Sequence, residues 1–198
     1  ESGLGVYFKD IQMLPFNQFI QLEYPMRGVM DISIIVSGYP DSLDVEGLME
    51  MQNFVLGEDT IGNVAGNFTY TTDQIEIEKF ELIHSDDSYL TVSGSLKFPR
   101  KKTGSTKVKL VTDERINLAV NFKNIRLKDY PYFSKINYPF DGIFTGEVDV
   151  RGTVQNFRGS YSLNARNLRY RDFEFYSINL DGSLFPEGLV LERGDINF

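Results

Sequence analysis

The stretch Tyr138-Pro-Phe-Asp-Gly-Ile-Phe-Thr-Gly-Glu-Val-Asp-Val-Arg-Gly152 decides the fold, because apolar and polar residues alternate along most of it. The apolar positions of one parity are Phe144, Val148 and Val150. The polar positions of the other parity are Thr145, Glu147, Asp149 and Arg151. Since the side chains of a strand point alternately to its two faces, this pattern predicts a β-strand with one buried face. We expect the chain to turn at Gly142 and Gly152, because glycine tolerates positive φ.

The stretch has a counterpart 114 residues earlier, from Tyr24 to Gly38. Extended back to Leu4, the comparison gives 11 identities in 35 positions without a gap. The identical residues of the first copy are Leu4, Val6, Phe8, Lys9, Ile11, Phe19, Tyr24, Pro25, Gly28, Val36 and Gly38. Beyond Gly38 we place a two-residue gap, after which Asn53 matches Asn167 and Glu78 matches Glu192. A fixed internal period indicates a repeat architecture, so we expect the two copies to be neighbouring segments of one continuous sheet.

Short alternating segments recur about every ten residues, with turn residues between them and without a crossover helix, which predicts an all-β antiparallel fold. A sandwich, a barrel and an open roll all produce this pattern. We predict a first β-repeat unit over residues 1–114 and a second, shorter unit over residues 115–198. We interpret the chain as a fragment of a longer protein, in which both units belong to one elongated β-roll.

Composition excludes several classes of function. The 20 basic and 28 acidic residues give a net charge of −8, which argues against nucleic acid as a partner because such sites are basic. The chain has no cysteine, so we expect neither disulfides nor thiolate chemistry. No apolar run reaches about 18 residues, so we expect any membrane contact to come from other parts of the parent protein.

We predict no catalytic centre, no metal and no cofactor. The single histidine, His84, precedes Ser85-Asp86-Asp87 in a predicted turn, where a solvated side chain is the usual situation. The acidic group Asp41, Asp44 and Glu46 lacks the spacing of a calcium loop. The basic cluster Arg100–Lys102 fits attraction to anionic lipid head groups, but we favour the tip of a soluble hairpin.

The apolar stripe shared by the predicted strands is the remaining candidate for function. It forms either an ordinary closed core or the lining of an open groove that holds acyl chains. Residue patterns alone favour the closed core. The candidate lining residues are Met30, Ile32, Ile34, Val36, Leu118, Val120, Phe122, Phe144, Val148, Val150, Tyr161, Leu163, Phe173 and Phe175.

The succession of motifs in the second copy resembles the AsmA-like superfamily, and it is most similar to the TamB branch. The motifs are a strand ending in Gly152-Thr153, then Gly159, then the alternating run Tyr161, Leu163, Ala165, then Asn167-Leu-Arg-Tyr170. TamB is the periplasmic component of the translocation and assembly module. The resemblance implies an elongated antiparallel β-roll with a partly open hydrophobic groove, and so it favours the open groove over the closed core.

The same resemblance implies a location and partners. We expect a periplasmic protein whose parent is anchored in the inner membrane of a double-membraned bacterium. Its expected partners are phospholipid acyl chains and an outer-membrane β-barrel assembly partner, and its expected role is phospholipid transport or outer-membrane protein assembly. Two alternatives remain: a closed-core adhesive or structural β-repeat module, and a β-fold enzyme or carbohydrate binder.

Overall fold

The computed structural model describes residues 3–17, 24–39, 42–85, 87–98, 115–129, 140–153 and 155–198, and these residues form eleven β-strands and two short 3₁₀ turns. The strands are β1 (Leu4–Gln12), β2 (Met26–Tyr39), β3 (Ser42–Leu56), β4 (Asp59–Thr71), β5 (Gln74–Ser85), β6 (Ser88–Lys97), β7 (Arg115–Arg126), β8 (Phe140–Thr153), β9 (Asn156–Tyr170), β10 (Phe173–Phe185) and β11 (Gly188–Asn197). The 3₁₀ turns are Leu14–Phe16 and Leu127–Asp129.

All eleven strands belong to one antiparallel sheet, in which each strand pairs with its neighbours in the sequence. The order runs from β1 to β11 without a crossover, and β1 and β11 are the two edges. The prediction of an all-β antiparallel fold is therefore confirmed. Among the three architectures that the sequence left open, the structure is the open one, because the sheet does not close on itself.

The pairing register repeats with the 114-residue period of the sequence. Leu4 pairs with Val36 across β1 and β2, and Leu118 pairs with Val150 across β7 and β8. The agreement continues through β3–β4 against β9–β10, and through β4–β5 against β10–β11. The repeating unit is thus six strands long, and β7 is the counterpart of β1. The boundary predicted at residue 114 stays a prediction, since residues 99–114 lie outside the described part of the chain.

The two-residue gap that we placed after Gly38 is wrong. Tyr39 pairs with Ser42 at the hairpin between β2 and β3. Thr153 pairs with Asn156 at the equivalent hairpin, so both turns have the same length.

The expected turn at Gly142 is also wrong, because Gly142 lies inside β8. The register between β8 and β9 shifts between Asp141 and Ile143, so Gly142 lies at a bulge. The turn predicted at Gly152 is nearly correct, because the residue lies next to a hairpin. It has a φ of 133° one residue before the end of β8, and a Cβ there would lie 2.5 Å from the carbonyl oxygen of Asn156 across the hairpin.

Four polar residues with left-handed backbone conformation interrupt the strands at repeated positions. Asp10 and Asn124 are equivalent, with φ of 56° and 52°, and Asn53 and Asn167 are equivalent, with φ of 51° in both. The pairs β1–β2 and β7–β8 shift register at the first two positions, as a β-bulge does. Bulges bend a strand and increase its twist, so repeated bulges bend both copies of the sheet in the same way.

Side-chain acceptors stabilise these bulges. The amide of Asp10 donates a hydrogen bond to Oδ1 of Asp31 at 2.7 Å, and the amide of Asn124 donates one to Oγ1 of Thr145 at 3.1 Å. Asp31 and Thr145 are themselves equivalent in the two copies. The repeat therefore preserves the hydrogen-bond geometry of the bulge while the acceptor changes from a carboxylate to a hydroxyl.

Two small clusters contain most of the buried apolar side chains. The first cluster is Met13, Met51 and Val64, and the second cluster is Phe144, Ala165 and Leu168. Met51 and Ala165 are equivalent positions. Met13 follows β1 and crosses to β3 and β4, and its amide donates to the carbonyl of Gly28 at 3.1 Å. Among the residues that the structure describes, no large side chain is fully buried.

We predict that replacing Asn167 by valine destabilises the chain by about 1–2 kcal/mol, the cost of placing an ordinary L-residue in left-handed conformation. Asn167→Gly should change stability by less than about 0.5 kcal/mol, because glycine adopts this conformation freely. Urea unfolding followed by circular dichroism measures both variants. Equal destabilisation by the two variants would show that the backbone conformation is not the constraint.

Candidate functional site

One face of the sheet is apolar from edge to edge. Cross-strand partners lie on the same face, so the register traces rows of side chains across the strands. The middle row is Phe8, Ile32, Met49, Gly66, Phe80, Val92, Val120, Val148, Tyr161, Gly182 and Leu191. The flanking rows, from Val6 to Leu189 and from Ile11 to Gly194, contain only apolar residues and glycine. We call these three rows the apolar face.

The opposite face is polar along its length. A row traced there from β2 to β11 contains Asp31, Glu50, Ala65, Glu81, Thr91, Asn121, Glu147, Ser162, Asp181 and Arg193. The alternation predicted from the sequence therefore separates the two faces of the sheet. We call this second side the polar face.

The structure brings most of the predicted lining residues together. Ten of the fourteen lie in the three rows of the apolar face: Met30, Ile32, Ile34, Leu118, Val120, Phe122, Val148, Val150, Tyr161 and Leu163. Val36 and Phe144 lie in the rows immediately beside them. Phe175 packs against the second cluster. Phe173, at the first position of β10, is 62% exposed and lies apart from both clusters.

The predicted list missed the lining of β3 to β6. Val45, Met49, Phe68, Phe80 and Val92 all belong to the same face. Two features prevented the alternation pattern from revealing these residues. Glycines occupy apolar-face positions in β3, β4 and β6, and a bulge in β5 changes the parity between its two halves.

Large side chains on the apolar face lie over glycines of the neighbouring strand. A Cβ at Gly66 would lie 3.1 Å from Cδ2 of Phe80, and a Cβ at Gly146 would lie 2.8 Å from Cζ of Phe122. A Cβ at Gly47 would overlap the ring of Phe68. Each glycine is the direct cross-strand partner of its ring. The rings therefore lie along the sheet instead of projecting from it.

The two copies exchange the members of such pairs. Gly47 pairs with Phe68 in the first copy, and the equivalent pair in the second copy is Tyr161 with Gly182. Gly66 with Phe80 likewise becomes Leu180 with Gly194. Each pair holds one large side chain and one glycine, but the strand that supplies the large side chain differs. Space at these pairs therefore admits one large side chain, whichever strand carries it.

The apolar face is too large for an ordinary exposed patch. Three rows of eleven positions, each about 4.8 Å by 6.7 Å, cover on the order of 1,000 Å². The largest exposed apolar patch of a soluble monomer is typically about 300–600 Å². Most of its side chains are only half-buried, because the described part of the chain places no second layer over them. An uncovered area of this size indicates a surface that binds apolar material.

A recess of about 660 Å³ lies on the apolar face over β3 to β6. Apart from Asn67 and Lys79, its lining residues are apolar or glycine: Val45, Met49, Gly66, Phe68, Tyr70, Ile75, Ile77, Phe80 and Val92. It is therefore a place where the face is deep enough to enclose part of a ligand.

A second pocket of about 480 Å³ lies at one end of the second copy and is charged. Its carboxylates pair with neighbouring cations: Asp141 with Lys128 at 2.9 Å, and Glu174 with Arg169 at 2.7 Å. The hydrogen bond from Lys128 is the main cause that holds the pKa of Asp141 below its usual value. Because both pairs are more than one-third exposed, each contributes at most about 1 kcal/mol to stability.

Within the described ranges, no three His, Asp or Glu side chains come close enough to hold a metal ion. Nδ1 of His84 lies 3.0 Å from the carbonyl oxygen of Ile61. The same part of the chain contains no helix long and apolar enough to cross a bilayer. The basic cluster at residues 100–102 lies outside the described residues.

Comparison with family models, with curated proteins and with solved structures found no match to this chain. The class that the fold itself defines is an open antiparallel meander with one apolar and one polar face. The resemblance to the AsmA-like superfamily stays a prediction from the motifs of the second copy.

We predict that two methionines of one strand differ sharply in their contribution to stability. Met51→Ala removes a side chain that is 7% exposed in the first cluster and should cost about 2 kcal/mol or more. Met49→Ala, two residues away on the same face, removes a half-buried side chain and should cost about half as much. Denaturant midpoints measure both. Equal costs would mean that the whole face, and not the cluster, holds the sheet together.

Proposed function

We propose that the apolar face is a groove that shields phospholipid acyl chains in transit between the inner and outer membranes of a double-membraned bacterium. The observation that carries this proposal is the face itself, which is apolar across all eleven strands and has no second layer among the described residues. Lipid tails are the abundant cellular material that matches a long, apolar surface without specific polar contacts.

The dimensions of the face suit this role. Eleven strands at ~4.8 Å spacing extend over roughly 48 Å. One leaflet of a bilayer contributes about half of its ~30 Å hydrocarbon core, so an acyl chain is about 15 Å long. The face is therefore about three times longer than its cargo, and a lipid has room to move along it.

The energetics favour entry into the groove over water. Burying an acyl chain contributes about 0.8 kcal/mol for each CH₂ group removed from water. Because the rows contain no charged side chain, this gain is similar along most of their length. Outside the recess over β3 to β6, the surface is nearly uniform and gives a lipid shallow steps between neighbouring positions, which permits sliding.

The open side of the sheet accommodates the rest of the lipid. A head group needs water, and the half-buried side chains of the apolar face show that solvent reaches its rim. The polar face keeps its carboxylates and cations in water on the other side. The sheet therefore separates the tails from solvent on one side only, as a groove does.

The location and the partners of this proposal rest on the resemblance to the TamB branch. By that resemblance the protein acts in the periplasm, with its parent anchored in the inner membrane and an outer-membrane β-barrel as assembly partner. Contact with the membrane itself comes from parts of the parent outside this chain. We propose no catalytic activity and no cofactor.

The edge strands favour one alternative, a structural module without lipid. Leu189 and Leu191 on β11 are 69% and 57% exposed, and Phe8 on β1 is 50% exposed. A further protein layer over the face would bury these side chains and give a closed core. The two proposals differ in what touches the middle row of the face in cells.

We predict that a photoreactive amino acid at position 148 captures phospholipid in cells, whereas one at position 149 does not. Val148 lies in the middle row of the apolar face, and Asp149 is its neighbour on the polar face. The measurement is lipid recovered after irradiation and purification. Capture of protein at position 148, with lipid absent, would support the closed module instead.

We also predict that Val148→Asp leaves the chain folded but stops transfer of lipid. In an open groove the new carboxylate reaches water, whereas in a closed core it would cost several kcal/mol. The matched control is Asn117→Asp, which places the same carboxylate on the polar face opposite Arg151. Thermal unfolding and envelope integrity are the measurements. If Val148→Asp unfolds the chain and Asn117→Asp does not, the result contradicts the groove.

A further inference from the structure

We propose that the recess over β3 to β6 is a discrete resting site for one acyl chain, and that glycine–aromatic pairs set its depth. The inference rests on the proposed function, since it concerns the same face. It adds that the groove is not uniform, because the first copy contains a position where a single tail stops. The occupant is one hydrocarbon chain, not a folded protein segment.

The chemistry of the lining selects a pure hydrocarbon. The side-chain amide of Asn67, one of the two exceptions in the lining, donates a hydrogen bond to Glu78. The ammonium of Lys79 lies 2.8 Å from the carboxylate of Glu81. Asn67 and Lys79 pair with each other in register, and both belong to the polar-face parity. The amide and the ammonium among the lining residues thus already have carboxylate partners outside the apolar face.

The size of the recess matches one tail. An apolar cavity of about 150 Å³ holds one benzene, so the recess, at about 660 Å³, has room for roughly four such six-carbon groups, or about two dozen carbons. A phospholipid acyl chain has a similar number of carbon groups, and two chains would need about twice the volume. The second tail of a diacyl lipid would then lie on the shallower face outside the recess.

Glycine–aromatic pairs make the recess deep. Gly66 and Phe80 line the recess as cross-strand partners, and because the ring of Phe80 lies over Gly66, neither residue projects far from the sheet. A Cβ at Gly66 would lie 3.1 Å from Phe80, so the site has room for one large side chain of the pair and the ligand. Gly47 leaves room for the ring of Phe68 in the same way.

The second copy does not repeat this lining. Leu180 occupies the position equivalent to Gly66, and Gly194 occupies the position equivalent to Phe80. Val45 becomes Gly159 in the same comparison. The sequence period is kept, yet the large groups that shape the recess have changed places. The resting site is therefore a property of the first copy.

The test is titration of the full 198-residue chain with cis-parinaric acid, a fatty acid whose fluorescence rises in an apolar site. We expect one tight equivalent in the unmodified chain. Gly66→Leu puts a large side chain on both members of the pair and should weaken this equivalent at least tenfold. Combining it with Phe80→Gly reproduces the pair of the second copy, so the double variant should recover the stability of the unmodified chain but still bind at least tenfold more weakly.

The matched control is Ala65→Leu, which adds a leucine to the neighbouring position on the polar face and should leave binding unchanged. Tight binding by a folded Gly66→Leu chain overturns the resting site. If Gly66→Leu does not fold, the double variant decides, and a folded double variant that binds as tightly as the unmodified chain overturns the proposal as well.

The outcomes separate this inference from the proposed function. If position 148 captures lipid in cells while the recess variants bind the fatty acid as the unmodified chain does, only the resting site fails. If the unmodified chain binds no fatty acid and position 148 captures no lipid, both the resting site and the proposed groove are wrong.

Discussion

The described residues form a sheet of one layer, which has no second layer of its own to bury its apolar face against, and the other features of this structure follow from that constraint. Stability must come from the backbone ladders between neighbouring strands and from two small clusters around Met51 and Phe144. Both clusters lie at equivalent places of the repeat, next to the bulges at Asn53 and Asn167. The rest of the face is left half-exposed, and thus available for a ligand.

The internal repeat shows which properties the fold requires. Backbone features are kept in place: the register, the hairpin lengths and the left-handed bulge residues all recur at 114 residues. Side-chain identity is freer, since glycine and a large residue exchange strands between Gly47–Phe68 and Tyr161–Gly182. What is preserved at such a pair is its total volume. Packing across a single-layer sheet therefore constrains pairs of residues more tightly than single positions.

Alternation was enough to predict the strands, the antiparallel class and the lining supplied by β2 and by β7 to β9, because side chains in a strand have a strict period of two. The prediction failed where a bulge interrupts this period or where glycines hide it. The bulge in β5 shifts the parity before Phe80, and glycines such as Gly47 and Gly94 carry no hydropathy signal although they lie on the apolar face. Alternation also could not predict that the sheet is open, since the same pattern describes a closed core. Only the pairing order from β1 to β11 decides that question.

The meander order has a consequence for how the chain reaches its folded state. Each strand finds its partners immediately before and after it in the sequence, so most steps close a short loop at low entropic cost. Structure can then grow from one end, strand by strand, with no need for the last residues before the first ones are in place. Such a chain suits folding as it is synthesised, because each new hairpin can pair with the edge strand that has already formed.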